Sequence, residues 1–314
     1  MQQNWFEQQR SNKKRTIYLI TLFILLVIAI GALFGGLLNK GSINGMIGGA
    51  IIGLIISLIY ALLMQSSLSM DLVMSMNHAK PIDVNDYLQL DNIVTEMCLA
   101  AQIPKPKLYL VDTEEKNAFA TGINPQKAGL AVTSGILNAL NREELTGVIG
   151  HEVSHIKNGD MKVTTLANAF SSAINIMGLI ATEISYWMMW FGPRDDDDQD
   201  SNSGASAMVY LVIYLVANLI SFVGNLLASV LTLALSRNRE YLADASSAEL
   251  TKNPKGLIQA LQKISMNTKE EEKDQKENHS YATAGYINKP KQKDGLFDTH
   301  PSIESRINKL NKML

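Results

Sequence analysis

Long uncharged stretches alternate with charged ones along this chain of 314 residues. Residues 16–38 and 43–64 carry no charge, and each stretch is long enough to cross a bilayer as a helix. The first is longer than the apolar core of a signal peptide, and no small-residue cleavage site follows it. Both contain glycines at spacings typical of close helix packing in lipid. These are Gly31, Gly35, Gly45, Gly49 and Gly53. Residues 16–70 are therefore predicted to form a transmembrane hairpin.

Two further apolar stretches follow in the second half of the chain. Residues 161–180 are interrupted by polar side chains but end near a cluster of aromatic residues, as is typical of a membrane interface. Residues 207–235 are uncharged and strongly apolar. Between them an acidic segment, residues 192–206, is predicted to be a solvated loop, with a calcium site as the weaker alternative. Residues 161–235 thus supply the third and fourth of about four transmembrane helices, although the polar residues of the third could instead line a cavity.

Basic residues predict how these helices are oriented. Four of them lie within residues 1–15, directly before the first apolar stretch, which places that terminus in the cytoplasm. With an even number of spans, residues 71–160 and 236–314 also face the cytoplasm. Both segments have soluble character, and we expect them to form one mainly helical domain. Short strands at residues 108–111 and 128–133, together with 117–120, predict a small β-sheet within it.

The overall composition narrows the possible functions. Lys and Arg number 28 against 30 Asp and Glu, so the basic excess of a nucleic-acid-binding protein is missing. The single cysteine, Cys98, excludes an intramolecular disulfide framework and a cysteine-rich zinc site. Any metal must therefore be bound by carboxylates and by some of the five histidines.

The segment GHEVSHIKNGD contains the strongest chemical signal. His151 and His155 are four residues apart, so on a helix both imidazoles lie on one face. With Glu152 they form the H-E-x-x-H pattern of zinc peptidases, in which the histidines bind the metal and the glutamate is the general base. Asn141 or Thr133 can cap the helix, and Gly159 predicts its end. The alternative is two incidental histidines on an amphipathic helix.

A catalytic zinc ion needs a third protein ligand, and Glu240 is the candidate. Asp244 follows one turn later on the same predicted helix face. Its carboxylate could accept a hydrogen bond from the free ring nitrogen of His151 or His155, which would fix the tautomer of that ligand. The alternative is a solvated helix whose carboxylates pair with Arg237 and Arg239.

Four blocks, together with the N-terminal hairpin, resemble the HtpX heat-shock proteases, membrane zinc endopeptidases related to the CAAX prenyl proteases. The blocks are IPKPKLYLVDTEEKNAFATG, GHEVSHIKNGD, SRNREYLADASSA and THPSIESRI. The resemblance covers nearly the whole chain. It implies a mainly α membrane protein with a zincin-like α+β cytoplasmic metallopeptidase domain. In that family the two histidines and the later glutamate bind one Zn²⁺ per subunit, which here means His151, His155 and Glu240, with Glu152 as general base.

The resemblance also implies roles for residues that composition does not flag. Asn117 and Ala118 fall where related enzymes present an edge strand to the substrate backbone. His300 and Arg306 fall in a late block that assists the transition state. For His300 the alternative is a histidine at a helix N-terminus beside Pro301.

These observations predict a multi-pass endopeptidase of the bacterial cell membrane. The expected substrates are misfolded or damaged membrane proteins, cut at cytoplasmic sites, or unfolded polypeptides. This implies a role in protein quality control and the stress response. The sequence leaves open whether the chain forms a homo-oligomer. A non-catalytic zinc-binding scaffold is the main alternative, but a structural site has no need of Glu152. A transporter is disfavoured because no ionisable residue lies mid-span.

Overall fold

The computed structural model describes residues 2–39, 42–191, 211–212, 214–216, 218–219, 222, 237–271 and 301–313. Most of these residues are helical. The helices are α1 (Gln2–Leu38), α2 (Ile43–Leu63), α3 (Leu68–Met76), α4 (Leu88–Ala101), α5 (Ser134–Ala139), α6 (Arg142–Asn158), α7 (Met161–Phe191), α8 (Arg237–Thr251), α9 (Pro254–Glu271) and α10 (Ile303–Asn311). The strands are β1 (Lys80–Pro81), β2 (Lys107–Val111), β3 (Ala118–Gly122) and β4 (Ala128–Thr133).

The chain divides into two compact units. We call the first the catalytic unit; it comprises Met1–Thr16, Gln65–Asn168 and Thr232–Leu314. We call the second the apolar unit; it comprises Ile17–Met64 and Ala169–Leu231.

Three described helical segments are long and apolar enough to cross a membrane. They are Asn12–Gly36, Ile43–Leu63 and Met161–Glu183. The fourth predicted stretch, residues 207–235, falls mostly outside the described residues, and the described parts of it at 211–222 are helical. The acidic segment 192–206 lies wholly outside them. A mainly α protein with membrane helices and a small sheet is confirmed.

Glycines let α1 and α2 approach closely within the apolar unit. A Cβ atom added at Gly31 would lie 2.2 Å from the carbonyl oxygen of Gly49, and one added at Gly35 would lie 2.2 Å from that of Gly45. No side chain fits at these distances, so the close helix packing that the glycine spacings predict is confirmed. Farther along, Phe23 stacks on Phe170 with ring centroids 4.3 Å apart.

The sheet of the catalytic unit has the strand order β1-β2-β4-β3. Strands β2 and β4 are parallel, with Leu108 opposite Leu130, whereas β1 and β3 run antiparallel to their neighbours. Strand β3 is consequently an edge strand. All six residues of β4 are buried, as expected for a strand covered on both faces.

Helices α4, α6 and α9 pack with the sheet around one apolar core. Ile93, Leu130, Ile149 and Leu261 have no exposed surface in that core. Burying each such side chain contributes about 1.5–3 kcal/mol relative to leaving it in water. The core therefore holds α6 firmly against its neighbours, and α6 is the helix that carries the metal motif.

Two local predictions need correction. Thr133 and Asn141 are not alternative caps of one helix: Thr133 caps α5, and Asn141 caps α6. The sequence favours Asp83 or Asn85 as the cap of a helix running to about Gln102. Helix α4 begins at Leu88 without a side-chain cap, however. Asp83 instead accepts a hydrogen bond from the backbone N–H of Asn85, which makes a local turn before that helix.

Candidate metal centre and catalytic residues

Helix α6 begins and ends with well-defined caps. The Asn141 side chain accepts a hydrogen bond from the backbone N–H of Glu144, and the Glu144 side chain accepts one from that of Asn141. This reciprocal pair is a capping box, typically stabilising a helix by about 1 kcal/mol. At the other end Gly159 has φ 70°, a conformation that glycine adopts without strain. The position of the motif on this helix is therefore fixed at both ends.

The H-E-x-x-H residues lie on the protein-facing side of α6. His151 is 2% exposed and Glu152 is 5% exposed. The rings of His151 and His155 meet edge to face with centroids 4.7 Å apart, and their Nε2 atoms are 3.2 Å apart. Two imidazole nitrogens thus converge on one point.

Helix α8 brings Glu240 to the same point. Its Oε2 lies 3.6 Å from Nε2 of His151, and its Oε1 lies 3.7 Å from Nε2 of His155. The two helices approach closely because the Ser247 hydroxyl donates to the carbonyl oxygen of Gly147 at 2.7 Å. A Cβ atom at Gly150 would meet the Ser247 Oγ at 2.9 Å, so the glycine is required by this approach.

This donor set fits a tetrahedral zinc ion. His151, His155 and Glu240 each offer a ligand atom within 4.8 Å of the others. An ion bound at about 2.0–2.1 Å from each donor would separate the donors by roughly 3.3 Å. The observed separations of 3.2, 3.6 and 3.7 Å lie close to that value. Two histidines and a glutamate are also a ligand set that catalytic zinc sites use.

Carboxylates at the far side of each ring fix which nitrogen faces the ligand point. Nδ1 of His151 lies 2.9 Å from Oδ1 of Asp244, and Nδ1 of His155 lies 3.3 Å from Oδ2 of Asp160. Because an ionised carboxylate only accepts hydrogen bonds, each Nδ1 carries the hydrogen and each Nε2 presents a lone pair. Lone pairs that face one another repel, so this arrangement favours a cation between them.

The pKa of His151 reflects the same convergence. Burial and the charge of Arg306 both lower it, but the carboxylates of Asp244 and Glu240 outweigh them and raise the pKa to about 9. The acceptors that attract a proton here would equally attract a metal ion.

Asp244 is locked by Arg306. The guanidinium donates to Asp244 Oδ2 from Nε at 2.9 Å and to Oδ1 from Nη2 at 2.6 Å. Arg306 is 1% exposed, Asp244 is 2% exposed and Glu240 is 3% exposed. The carboxylates of Glu240 and Asp244 are therefore not solvated, and the alternative pairing of Asp244 with Arg237 or Arg239 is wrong. Although burial alone would raise the pKa of Asp244, the charge of Arg306 holds it well below its usual range.

The Nη2 atom of Arg306 also lies 3.3 Å from Nδ1 of His151. With the hydrogen on Nδ1 both atoms are donors, so this contact is not a hydrogen bond. Nη1 of Arg306 has no hydrogen-bond partner among the described residues. His300, which was predicted to act with Arg306, lies outside the described residues.

Glu152 is anchored to the edge strand. Its Oε2 accepts a hydrogen bond from the backbone N–H of Ala120 at 3.0 Å. Burial, opposed by the two histidines and by this hydrogen bond, raises the pKa of the Glu152 carboxyl. Sequence reasoning missed Ala120, because a backbone N–H leaves no signature in the residue type.

Asn117 and Ala118 lie where β3 begins. The backbone of Asn117 donates to the hydroxyl of Thr133 at 3.0 Å and accepts from the N–H of Thr133 at 3.0 Å, which ties it to β4. Farther along β3, the N–H of Gly122 donates to the hydroxyl of Thr165 at 2.9 Å. Asn117 is 5% exposed and Ala118 is fully buried. The start of β3 is therefore not freely accessible to a substrate.

Asp160 was also missed as a candidate. It follows the C-terminal glycine of α6, is 2% exposed and contacts the ring of His155. Its position in the motif GHEVSHIKNGD, directly after Gly159, was the available signal: the chain turns back there toward the last turn of α6.

Comparisons with known proteins agree with this chemistry. The sequence model of peptidase family M48 matches residues 85–314. A "Protease HtpX homolog" of Listeria monocytogenes serotype 4a (strain HCC23) is 43% identical over 309 residues, spanning 98% of this chain and 99% of that protein. A protein of the same description from Streptococcus gordonii (strain Challis) is 44% identical over 314 residues, with the same coverage. The crystal structure of S. mikatae Ste24p matches with a TM-score of 0.41 and 16% identity, covering 98% of this chain and 66% of that one, a similarity too low to carry an argument.

Proposed function

This chain belongs to peptidase family M48, and we propose that it is a zinc endopeptidase that cleaves membrane proteins at cytoplasmic sites. The family and the names of its relatives make it a metalloprotease, and its helices make it a membrane protein. The identity of the metal, the substrate and the orientation are the proposed parts. The observation that carries the proposal is the convergence of His151, His155 and Glu240 beside Glu152.

We assign the metal to His151, His155 and Glu240. A zinc ion held there would supply a water of lowered pKa and would polarise the scissile carbonyl. Asp244 and Asp160 keep both rings in the tautomer that binds metal, because each accepts the hydrogen of Nδ1.

Glu152 is the proposed general base. The N–H of Ala120 holds Oε2, which leaves Oε1 to accept the proton of the attacking water. The burial-raised pKa brings the carboxyl closer to neutrality, where a base can accept a proton and then donate it to the leaving amine. Mutation of such a group typically costs about 10²–10⁴-fold in rate.

Arg306 and His300 are the proposed stabilisers of the transition state. Two nitrogens of Arg306 are engaged by Asp244, so only Nη1 is left to donate to the oxyanion or to a substrate carbonyl. The role of His300 rests on the family resemblance alone.

Asn117 and Ala118 are proposed to bind the substrate backbone along the edge of β3. The N–H groups of Ala120 and Gly122 already donate to Glu152 and Thr165, and that of Asn117 donates to Thr133. Main-chain pairing with a substrate would therefore fall on Ala118, with Asn117 beside it. Because Ala118 is fully buried, such pairing requires a neighbouring segment to move aside.

Chain connectivity supports the proposal of a membrane-protein substrate. Helix α6 ends at Asn158, and a candidate span begins at Met161, so few residues separate the second histidine from the membrane. Four basic residues before the first span support a cytoplasmic N-terminus. A fluorescent reporter fused to the C-terminus should fold and fluoresce in the cytoplasm, whereas a periplasmically active phosphatase at the same position should stay inactive. The reverse pattern would contradict the orientation.

A glutamate variant and a matched control test the ligand set. Purified protein should contain one zinc ion per chain, and Glu240→Gln should lose most of it. Glu249→Gln changes an exposed glutamate on the same helix and should retain the metal. Full metal content together with undiminished proteolysis in Glu240→Gln would overturn the assignment.

The alternative is a non-catalytic scaffold that binds zinc for structure. It predicts bound metal without hydrolysis in the wild-type protein. The burial-raised pKa of Glu152 and its position next to the ligands favour the enzyme, since a structural site gains nothing from a poised base.

A further inference from the structure

Asp160 contacts more than the ring of His155. Its Oδ2 lies 3.3 Å from Nδ1 of His155, while its backbone N–H donates to the carbonyl oxygen of the same residue at 3.2 Å. The side chain and the main chain of Asp160 are thus both tied to one proposed metal ligand. The orientation of the His155 ring depends on where this carboxylate is held.

The other oxygen of Asp160 is held by the N-terminal segment. Oδ1 accepts a hydrogen bond from Nδ2 of Asn12 at 2.8 Å, across 148 residues of sequence. Asn12 is 7% exposed and Asp160 is 2% exposed, so water competes little with this bond. Nη1 of Arg239 lies 3.8 Å from the same Oδ1, too far for a hydrogen bond, and supplies charge without fixing direction.

Asn12 and Thr16 are both buried on α1, each 7% exposed. The hydroxyl of Thr16 donates to the carbonyl oxygen of Asn12 at 2.9 Å, one turn later on α1. The adjacent Lys13 and Lys14 are exposed. A buried amide directly before two exposed cations on one helix indicates that Asn12 serves an internal partner, and the partner is Asp160.

We propose that Asn12 is a positioning residue of the metal centre: by fixing Oδ1 of Asp160, it orients Oδ2 and through it the imidazole of His155. This inference rests on the proposed function, because it takes His155 as a metal ligand. It makes the segment before the first span part of the site, although that segment lies some 140 residues from the motif.

The expected effect follows from how outer hydrogen-bond partners act on metal sites. Removing the direct partner of a histidine ligand typically lowers metal affinity by about 10–100-fold. Asp160→Ala should fall in that range. Asn12→Ala acts one hydrogen bond farther out and should lower affinity toward the low end, on the order of 10-fold.

The test measures metal affinity on the full-length protein in detergent, by competition with a chelator, for zinc and for cobalt. Asn12→Ala is compared with Lys13→Ala, an exposed neighbour on the same helix. The inference expects weaker binding and a shifted visible spectrum of bound cobalt for Asn12→Ala, and wild-type behaviour for Lys13→Ala. Equal affinity and an unchanged spectrum for both variants would overturn it.

A reversed pair keeps the inference testable if Asn12→Ala does not fold. Asn12→Asp removes the donor without changing size and faces Asp160 with a like charge, so it should bind metal more weakly than wild type. Adding Asp160→Asn restores a donor and an acceptor in the opposite direction and should recover part of the affinity. A double variant that binds no better than Asn12→Asp alone would contradict the inference.

The two proposals can fail separately. Wild-type protein that binds no metal would refute the proposed function itself. Wild-type protein that binds metal, with Asn12→Ala identical to it, would refute only the role of Asn12.

Discussion

The buried pair Arg306–Asp244 allows a quantitative prediction about stability. Arg306→Ala leaves the carboxylate of Asp244 buried with the ring of His151 as its nearest partner. Removing one member of a buried ion pair typically costs about 3–5 kcal/mol, because the remaining charge loses its compensation. This is a large part of the roughly 5–15 kcal/mol by which a protein is stable.

An exposed arginine–carboxylate pair serves as the control. Nη2 of Arg142 lies 2.8 Å from Oε1 of Glu96, almost the distance of the buried pair. The side chains of Arg142 and Glu96 are 51% and 54% exposed, however, and such surface pairs contribute only about 0–1 kcal/mol. Arg142→Ala should therefore leave stability almost unchanged.

Thermal unfolding of the detergent-solubilised, zinc-free proteins measures the difference. For domains of this size each kcal/mol shifts the melting temperature by about 2–4 °C. Arg306→Ala should melt on the order of 10 °C lower than wild type, and Arg142→Ala within about 4 °C of it. Equal shifts for the two variants would refute the reasoning that burial decides the contribution of an ion pair.

Two further predictions concern sites away from the metal. Gly49→Ala should lower the free energy of unfolding by about 1–3 kcal/mol, and with it the melting temperature, because its Cβ would lie 2.0 Å from the carbonyl oxygen of Gly31. Gly48→Ala should leave the melting temperature unchanged, because its Cβ meets nothing within 4 Å. Equal melting of both variants would show that the helices do not approach as described. Burial, opposed by Lys105, raises the pKa of the Cys98 thiol to about 11, so an alkylating reagent at pH 8 should modify it at least about 100-fold more slowly than in the unfolded chain. Rapid alkylation of the folded protein would contradict its burial.

Sequence reasoning worked best where the signal comes from residues that are close in sequence. The spacing of His151 and His155, the glycine that ends α6 and the strong strand pattern of β4 all depend on residues close in sequence. Glu240 was found because a zinc site requires a third ligand and a carboxylate pair one turn apart stood out. The structure brings these three residues together, and their roles stay proposals.

What sequence reasoning missed depends on distant partners or on the backbone. The pairing of β2 with β4 in parallel, with β3 displaced to the edge, could not be read from strand patterns alone. The hydrogen bond from Ala120 to Glu152 involves only a main-chain N–H. Asn12 is an ordinary polar residue in a basic segment until folding places it 2.8 Å from Asp160.

The most direct test of the central claim is proteolysis by zinc-loaded Glu152→Gln. The variant keeps the size of the side chain and can still accept the N–H of Ala120, so metal content and folding should match the wild type. Because an amide cannot take the proton of water, cleavage of casein by the purified protein should fall by about 10²–10⁴-fold. Proteolysis near the wild-type rate, with zinc bound and activity still sensitive to a chelator, would contradict the assignment of Glu152 as the base.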